Sequence, residues 1–526
     1  MAKVRGIGID LGSSNSAVAI IDTDGRPRII TTPEGTTTLP SVVWFTSGGV
    51  VVGNRALRGL EDAPTRTIFG AKRLLGRRLD HPEVRRLSKI LPYPLVAAAN
   101  GDVRIGLGAG RTIAPEEVAA LILAELREMA SHFLGQPVVD AVITVPAWFD
   151  SAARQATKDA AAIAGLTVRR LVSEPTAAAL GYGAHRGANR KYAVCDLGGG
   201  TFDVAMVDVE HGLFEVLATT GDAFLGGDDI DRVIVEQLAR EIRATYNVDI
   251  SGDAAAVDRL RIAAQRAKHE LSLRVETTVE VPRLLTAPSG RMVDYHARLA
   301  RSDVETWAQT LLRRLEAPCH DALLRAGRGV RDIDEVLLVG GQTRMPGVQQ
   351  ALARIFGKPP VAVPNPEEVV AVGAALHVAR LEGLIDGILI IDVCARGLAL
   401  SMGTAPCEPV IAANAVIPTR EYRALVTAID DQTRIEFDLW EGESADARHN
   451  RHLGRYVTPE LPRAAAGDVF VVLEITLDVD GTVRLAATEL ISGERLMVEQ
   501  QTHAGLPRAE VVRLARVHNE DREIIR

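Results

Sequence analysis

From the N-terminus to about residue 384, short apolar runs alternate with stretches whose apolar positions recur every three or four residues. Asp140–Asp150, DAVITVPAWFD, is an apolar run of strand length. Ser151–Leu166, SAARQATKDAAAIAGL, has helical spacing, with Ser151 as N-cap and Gly165 as stop. Such alternation predicts α/β organisation. Near Leu384 the pattern changes. GILIID (Gly387–Asp392) is a short apolar run that follows a helix, and after it a period of two takes over. TRIEFDLWEG puts Ile435, Phe437 and Leu439 on one face, and VFVVLEITLDVDGTVRLAATEL predicts two strands joined at Asp480-Gly481. Ser492-Gly493 offers another turn. Residues 394–506 therefore predict an all-β domain, and the last twenty or so one short amphipathic helix.

One pattern occurs twice. GIDLGSSNSAVAIID (Gly8–Asp22) and VCDLGGGTFDVAMVD (Val194–Asp208) each predict a strand, a small-residue turn and a second strand. Glycines in such a turn let backbone N–H groups approach a phosphate. The hydroxyls of Ser13, Ser14 and Thr201 can bond phosphate oxygens, and Asp10 and Asp196 stand where a divalent cation and its waters would be held. The turns lead into strands rather than helices, and GxxxxGK[ST] occurs nowhere, so this is no Walker A loop. A nucleotide clamped between two related lobes accounts for both copies. Gly226-Gly227-Asp228-Asp229, the helical Arg266, Lys268 and Ser272, and the strand-plus-turn VLLVGGQTRMP (Val336–Pro346) fit the same clamp. A Gly-Gly turn can approach a base or ribose closely, and Arg344 can stack on an adenine.

Composition narrows the picture. At 526 residues the chain exceeds the roughly 250–300 that one core supports. Net charge is −8, from 60 basic and 68 acidic residues, which argues against a general nucleic-acid or anionic-membrane surface. Aromatics are only 4%, so the cores rest on Val, Leu, Ile and Ala. The start carries no signal-peptide pattern, and no apolar run reaches transmembrane length. Cys195, Cys319, Cys394 and Cys407 show no CxxC spacing, which suits a reducing cytoplasm.

With GIDLGSSNS, AKRLLGR, VITVPAWFD, RQATKDA, SEPTAAAL, DLGGGTFD, LGGDDID, VGGQTRMP and NPEEVVAVGAA in this order, the sequence resembles the 70-kDa heat-shock chaperones of the bacterial DnaK/HscA type. The resemblance spans about residues 4–500 and is looser in the β part. It implies a two-lobed, actin-like α/β ATPase domain over 1–384, a hydrophobic linker over 385–393, a β-sandwich over 394–506 that binds extended apolar peptides, and a helical stub over 507–526 in place of a lid.

The implied chemistry is Mg²⁺-dependent ATP hydrolysis to ADP and phosphate. Lys72 would meet the γ-phosphate and attacking water, Glu174 and Asp196 would order the Mg²⁺ and water shell, and Thr201 would touch the γ-phosphate. Asp10 and Asp203 would join the metal shell, K⁺ included. Gly12, Ser13, Ser14 and Asn15, with Gly198, Gly199 and Gly200, would hold phosphates. Gln265, Arg266, Lys268, Ser272, Gly340, Gly341, Gln342, Arg344 and Glu367 would face the nucleoside. Gln265 stands where the family has Glu, Glu367 where it has the Asp of NPDE, and Ser13-Ser14 where it has Thr-Thr. Pro146 and Arg154 match a switch and relay, Arg170 a J-domain contact, and Asp392 the linker acid, although CARGLAL replaces the family's T-P-L-S-L-G after it. Met402, Ala428, Ile435 and Phe437 approximate peptide-pocket positions.

The implied partners are unfolded apolar segments, a J-domain co-chaperone and an exchange factor, with no nucleic acid or membrane, and the chain is expected to be a monomer. A competing reading is a nucleotide-switched module for one dedicated partner, and a peptide screen separates the two. A sugar kinase or filament would share the ATPase fold but not the β domain.

Overall fold

The computed structural model describes residues 6–22, 24–183, 189–286, 290, 292–496, 498–500 and 505–524. The two echoing segments each fold as an antiparallel hairpin in the middle of a sheet. In the first, Gly6–Asp10 pairs antiparallel with Asn15–Ile21 and parallel with Asp140–Val145, which pairs parallel with Thr167–Ser173. In the second, Arg190–Leu197 pairs antiparallel with Phe202–Glu210 and parallel with Glu335–Val339. The repeated sequence is thus a repeated topology.

Two helices, Glu174–Gly183 and Val369–Leu381, pack against one another and join the lobes. Alanines and glycines allow the contact: a Cβ at Gly373 would lie 1.8 Å from the Ala177 carbonyl oxygen. Large side chains would hold these helices apart. Each lobe has its own core, the first around Ile7, Val18 and Ile143, the second around Cys195, Phe202 and Leu338.

The helix after VPAWFD runs Ser151–Ile163 as expected, but its N-cap is Asp150, whose Oδ1 accepts the Ala153 N–H at 2.9 Å. A carboxylate caps as well as a hydroxyl. Ser151 is thereby free to accept the Val483 N–H through Oγ at 3.0 Å.

Leu389–Val393 forms a strand that extends the second lobe's sheet, parallel to Leu213–Asp222. Its far end pairs antiparallel with Val416–Ile417 of the β region. The β region is two sheets, one containing Glu436–Glu441 and Arg451–Val457, the other Thr419–Val426, Phe470–Leu477 and Val483–Glu489. Asp480-Gly481 turns the expected hairpin, with Gly481 at φ +69°. The terminal helix, Arg508–Ile524, packs on the first lobe rather than on the β region, where Val511 and Leu514 join the lobe's core. Among the described residues no helix is long and apolar enough to cross a membrane.

Candidate active site

The two turns meet. Asp10 ends one strand, and the chain then folds so tightly that a Cβ at Gly12 would lie 1.9 Å from the Asn15 carbonyl oxygen. Ser16 accepts the Gly12 N–H at 3.2 Å, and Ser41 donates to the Gly12 carbonyl at 2.8 Å, which locks the turn from behind. Opposite, the Gly198 N–H donates to the Thr201 carbonyl at 3.1 Å. Gly198 and Gly199 carbonyls accept from the N–H groups of Gly227 and Asp228 at 3.0 and 2.7 Å. The turns approach until a Cβ at Gly199 would lie 2.2 Å from Ser14 Oγ. Between them opens a cavity of about 400 Å³.

Carboxylates crowd the floor of this cavity. Lys72, from the 3₁₀ turn Ala71–Leu74, is buried and ion-paired with Glu174 at the start of its helix. Burial, then the Glu174 charge, pushes the Asp10 carboxyl up to about 7, against the pull of Lys72 and of the Thr144 hydroxyl at 3.0 Å. Asp196 rises well above the ordinary carboxylate range through burial, then the charges of Glu174, Asp203 and Asp10. Asp203 rises through burial, then Glu174. It accepts the Ala147 N–H at 3.1 Å through Oδ1, while buried Oδ2 has no hydrogen-bond partner among the described residues. Four acids around one lysine call for a cation. No three His, Cys, Asp or Glu side chains converge as direct ligands among the described residues. The crowded carboxylates fit a hard cation such as Mg²⁺.

The rest of the lining comes from one helix and two turns. Gln265, Lys268 and Ser272 of Ala254–Leu273 line the cavity at helical spacing. Lys268 also ties the second lobe together: Nζ donates to the Gly227 carbonyl at 3.0 Å and pairs with Asp231 at 2.9 Å. Gly340 (φ +78°), Gly341, Gln342, Arg344 and Glu367 complete the lining, and Arg344 forks onto Glu367 at 3.0 and 3.4 Å.

Three expected nucleotide or metal residues stand outside the lining. Arg266 follows Gln265 by one residue, about 100° further round the helix, and is exposed away from the cavity. Gly200 is buried against Arg73, where a Cβ would meet Arg73 Cδ at 2.9 Å. Asp203 lies behind Asp196 on the paired strand. Conversely, His269 and Leu273 line the cavity and were not anticipated. Their signal was the helical spacing from Gln265 and Lys268.

Arg154, Arg170 and Asp392 gather where the β region docks. Arg154 is buried and donates to the carbonyls of Phe149 at 2.8 Å, Ala147 at 3.2 Å and Asp480 at 3.0 Å. The Pro146 carbonyl accepts the Phe149 N–H at 3.0 Å, one turn from this Arg. Asp392 is buried, 3.4 Å from Thr176 Oγ1, and burial raises its pKa above the ordinary value. Asp480 is the residue that sequence reasoning missed. Its carboxylate accepts the Leu171 N–H at 2.9 Å, pairs with Lys158 and lies 3.9 Å from Arg170. In the sequence the Asp480-Gly481 pair signals only a turn.

In the β region Ile435 and Phe437 are buried core residues. Met402 is 38% exposed, and Ala428 is exposed on a loop.

The sequence model of the Hsp70 protein family matches residues 6–524. The chain belongs to the Hsp70 family. Hsp70 proteins are in general ATP-binding chaperones with ATPase activity, Mg²⁺-bound nucleotide and affinity for unfolded peptides.

Proposed function

We propose that this Hsp70 chain is an ATP-driven chaperone in which hydrolysis in an actin-like domain (1–384) is coupled through a linker (385–393) to peptide binding by the β domain (394–506), with 507–526 as a terminal stub. The observation that carries the reading is the linker strand, hydrogen-bonded on one side to Leu213–Asp222 of the ATPase domain and on the other to Val416–Ile417 of the β domain. A strand shared by two domains transmits movement of one to the other.

The chemistry is positioning plus charge stabilisation, since phosphoryl transfer to water asks little covalent work of the protein. Gly12, Ser13, Ser14 and Asn15 hold phosphates from one lobe, and Gly198, Gly199 and Thr201 from the other. Lys72 neutralises charge on the γ-phosphate, and Glu174 orients the attacking water. Mg²⁺ and K⁺, when bound, would supply the charge that offsets the phosphates; Asp10 and Asp196 would hold their waters, and Asp203 would act from behind Asp196 on the paired strand. Arg344 and Gln265 meet base and ribose. Arg170 and Asp392 sit where a J-domain protein would read the docked state, and an exchange factor would open the lobes. The setting that fits is the cytoplasm.

Release of a fluorescent apolar peptide from the whole chain tests this. Release at least tenfold faster with ATP than with ADP is expected. Equal rates, or binding of one folded partner and no apolar peptide, would refute it.

A further inference from the structure

The helix Val369–Leu381 carries one buried base that the phosphate chemistry does not use. His377 is 2% exposed, and neither Nδ1 nor Nε2 has a hydrogen-bond partner among the described residues. A buried polar atom without a partner is costly, and a buried charge without one costs more. An imidazole in this place is therefore neutral. Two charged groups act on it, and both repel a proton: Arg170 on the strand Thr167–Ser173, and Arg380 one turn further along its own helix. Burial, then these two guanidiniums, holds the imidazole far below its ordinary value, at about 3.

The other titratable groups on the elements packed against this helix are engaged elsewhere. Glu174 pairs with Lys72, Tyr182 bonds Glu335 at 3.0 Å, Asp10 lines the central cavity and Arg28 stacks on Phe133. Asp140 and Glu382 stand beside Gly6, and Asp386 is exposed. The two arginines, by contrast, belong to the linker. Arg380 Nε donates to the Ile388 carbonyl at 2.6 Å, at the entry to the linker strand. Arg170 stands 3.9 Å from Asp480 and feels the charge of Asp392. Ile388 and Ile390 pack against the cluster that holds Leu376 and Val378, the chain neighbours of His377. The seated linker thus shuts water out of the region where an imidazolium would need it.

We propose that His377 is a proton sensor for the linker: neutral and dry while the strand Leu389–Val393 is seated, it takes up a proton once the strand leaves, so mild acid favours the unseated form. The proposal rests on the linker reading above and adds the proton as a ligand of one of its two states. With the linker gone and water admitted, the imidazole returns toward its ordinary value of 6.5. Its value is depressed in the seated form, so its contribution to seating is present above about pH 6.5 and is lost as pH falls below it. Between pH 7.5 and 5.5 the ratio of seated to unseated linker should fall about tenfold on this account. Asp392 has the opposite sign: burial raises its carboxyl, so acid favours seating through that group. The contribution of His377 is therefore read as a difference between proteins that share Asp392.

The test is hydrogen exchange by the ATP-saturated full chain from pH 7.5 to 5.5, with each rate divided by that of unstructured peptide at the same pH, for the wild type, His377→Gln and His377→Leu. Glutamine keeps a polar side chain that does not titrate, and leucine fills the site without polar atoms. Over this range protection of the amides of 389–393 should fall about tenfold more in the wild type than in either variant. Amides of the hairpin Arg190–Glu210 should follow one profile in all three, which shows that the variants are folded. Superimposable profiles for 389–393 in the wild type and a folded variant would overturn the sensor alone. Unprotected 389–393 in the wild type at pH 7.5 would refute the linker reading, and the sensor with it.

Discussion

Replacing Asp480 by alanine removes the acid on which the β domain docks. Its carboxylate accepts a backbone N–H from Leu171, and the Lys158 and Asp480 side chains it joins are 20% and 12% exposed. Leaving the buried Leu171 N–H unpaired costs about 1–3 kcal/mol. Loss of the partly buried ion pair adds about 1 kcal/mol. The Arg154 bond goes to the backbone carbonyl of residue 480 and survives the change. The docked-to-undocked ratio should therefore fall by about 2–4 kcal/mol, roughly 30- to 1,000-fold. Hydrogen exchange of ATP-saturated protein reads this directly. Amides of 167–173 and 389–393 should exchange faster in Asp480→Ala, while those of the hairpin Arg190–Glu210 should not change. Unaltered exchange in 389–393 would refute the idea that Asp480 holds the docked form.

Glu116, in the first turn of the helix Pro115–Leu134, is pushed up to about 7 by burial, the largest effect, despite backbone N–H bonds from its own residue and Gly76. Its folded value lies above its unfolded one, so its ionisation opposes folding progressively from about pH 4.5 to pH 7. Glu116→Gln should lie within about 1 kcal/mol of the wild type at pH 5 and gain about 3 kcal/mol on it at pH 8, and an identical gap in melting temperature at both pH values would contradict this. At Gly340, φ is +78° and a Cβ would meet Asp196 Oδ1 at 2.5 Å. Gly340→Ala should add about 1–2 kcal/mol of backbone strain and weaken ADP binding about tenfold or more by calorimetry, and unchanged affinity would show that the turn does not shape the site.

What the sequence disclosed was local. The paired turns, the strand–helix alternation and the Asp480-Gly481 hairpin are each written in consecutive residues, and each formed. The central cavity gathers its glycines and acids from six short segments, at residues 10–12, 174, 196–199, 227–228, 340–341 and 367, that close on one cleft. What stayed hidden was long-range. Nothing near Asp480 signals that it will bond Leu171, 309 residues away in the chain. Nor does the local pattern tell a peptide-pocket residue from a core residue. Ile435 and Phe437 lie on the inward face of an alternating stretch, and that alternation describes burial whatever is buried against it. Arg266 falls outside the lining because a motif names neighbours in sequence, while a helix turns successive residues to different faces.

Single-turnover ATP hydrolysis with and without an extended apolar peptide, in the wild type and in Asp392→Ala, tests coupled hydrolysis most directly, with Lys72→Ala as the inactive reference. The account predicts no measurable turnover in Lys72→Ala, several-fold stimulation by peptide in the wild type, and a basal rate in Asp392→Ala that no longer responds to peptide. Hydrolysis by Lys72→Ala at the wild-type rate, or full stimulation in Asp392→Ala, would contradict it.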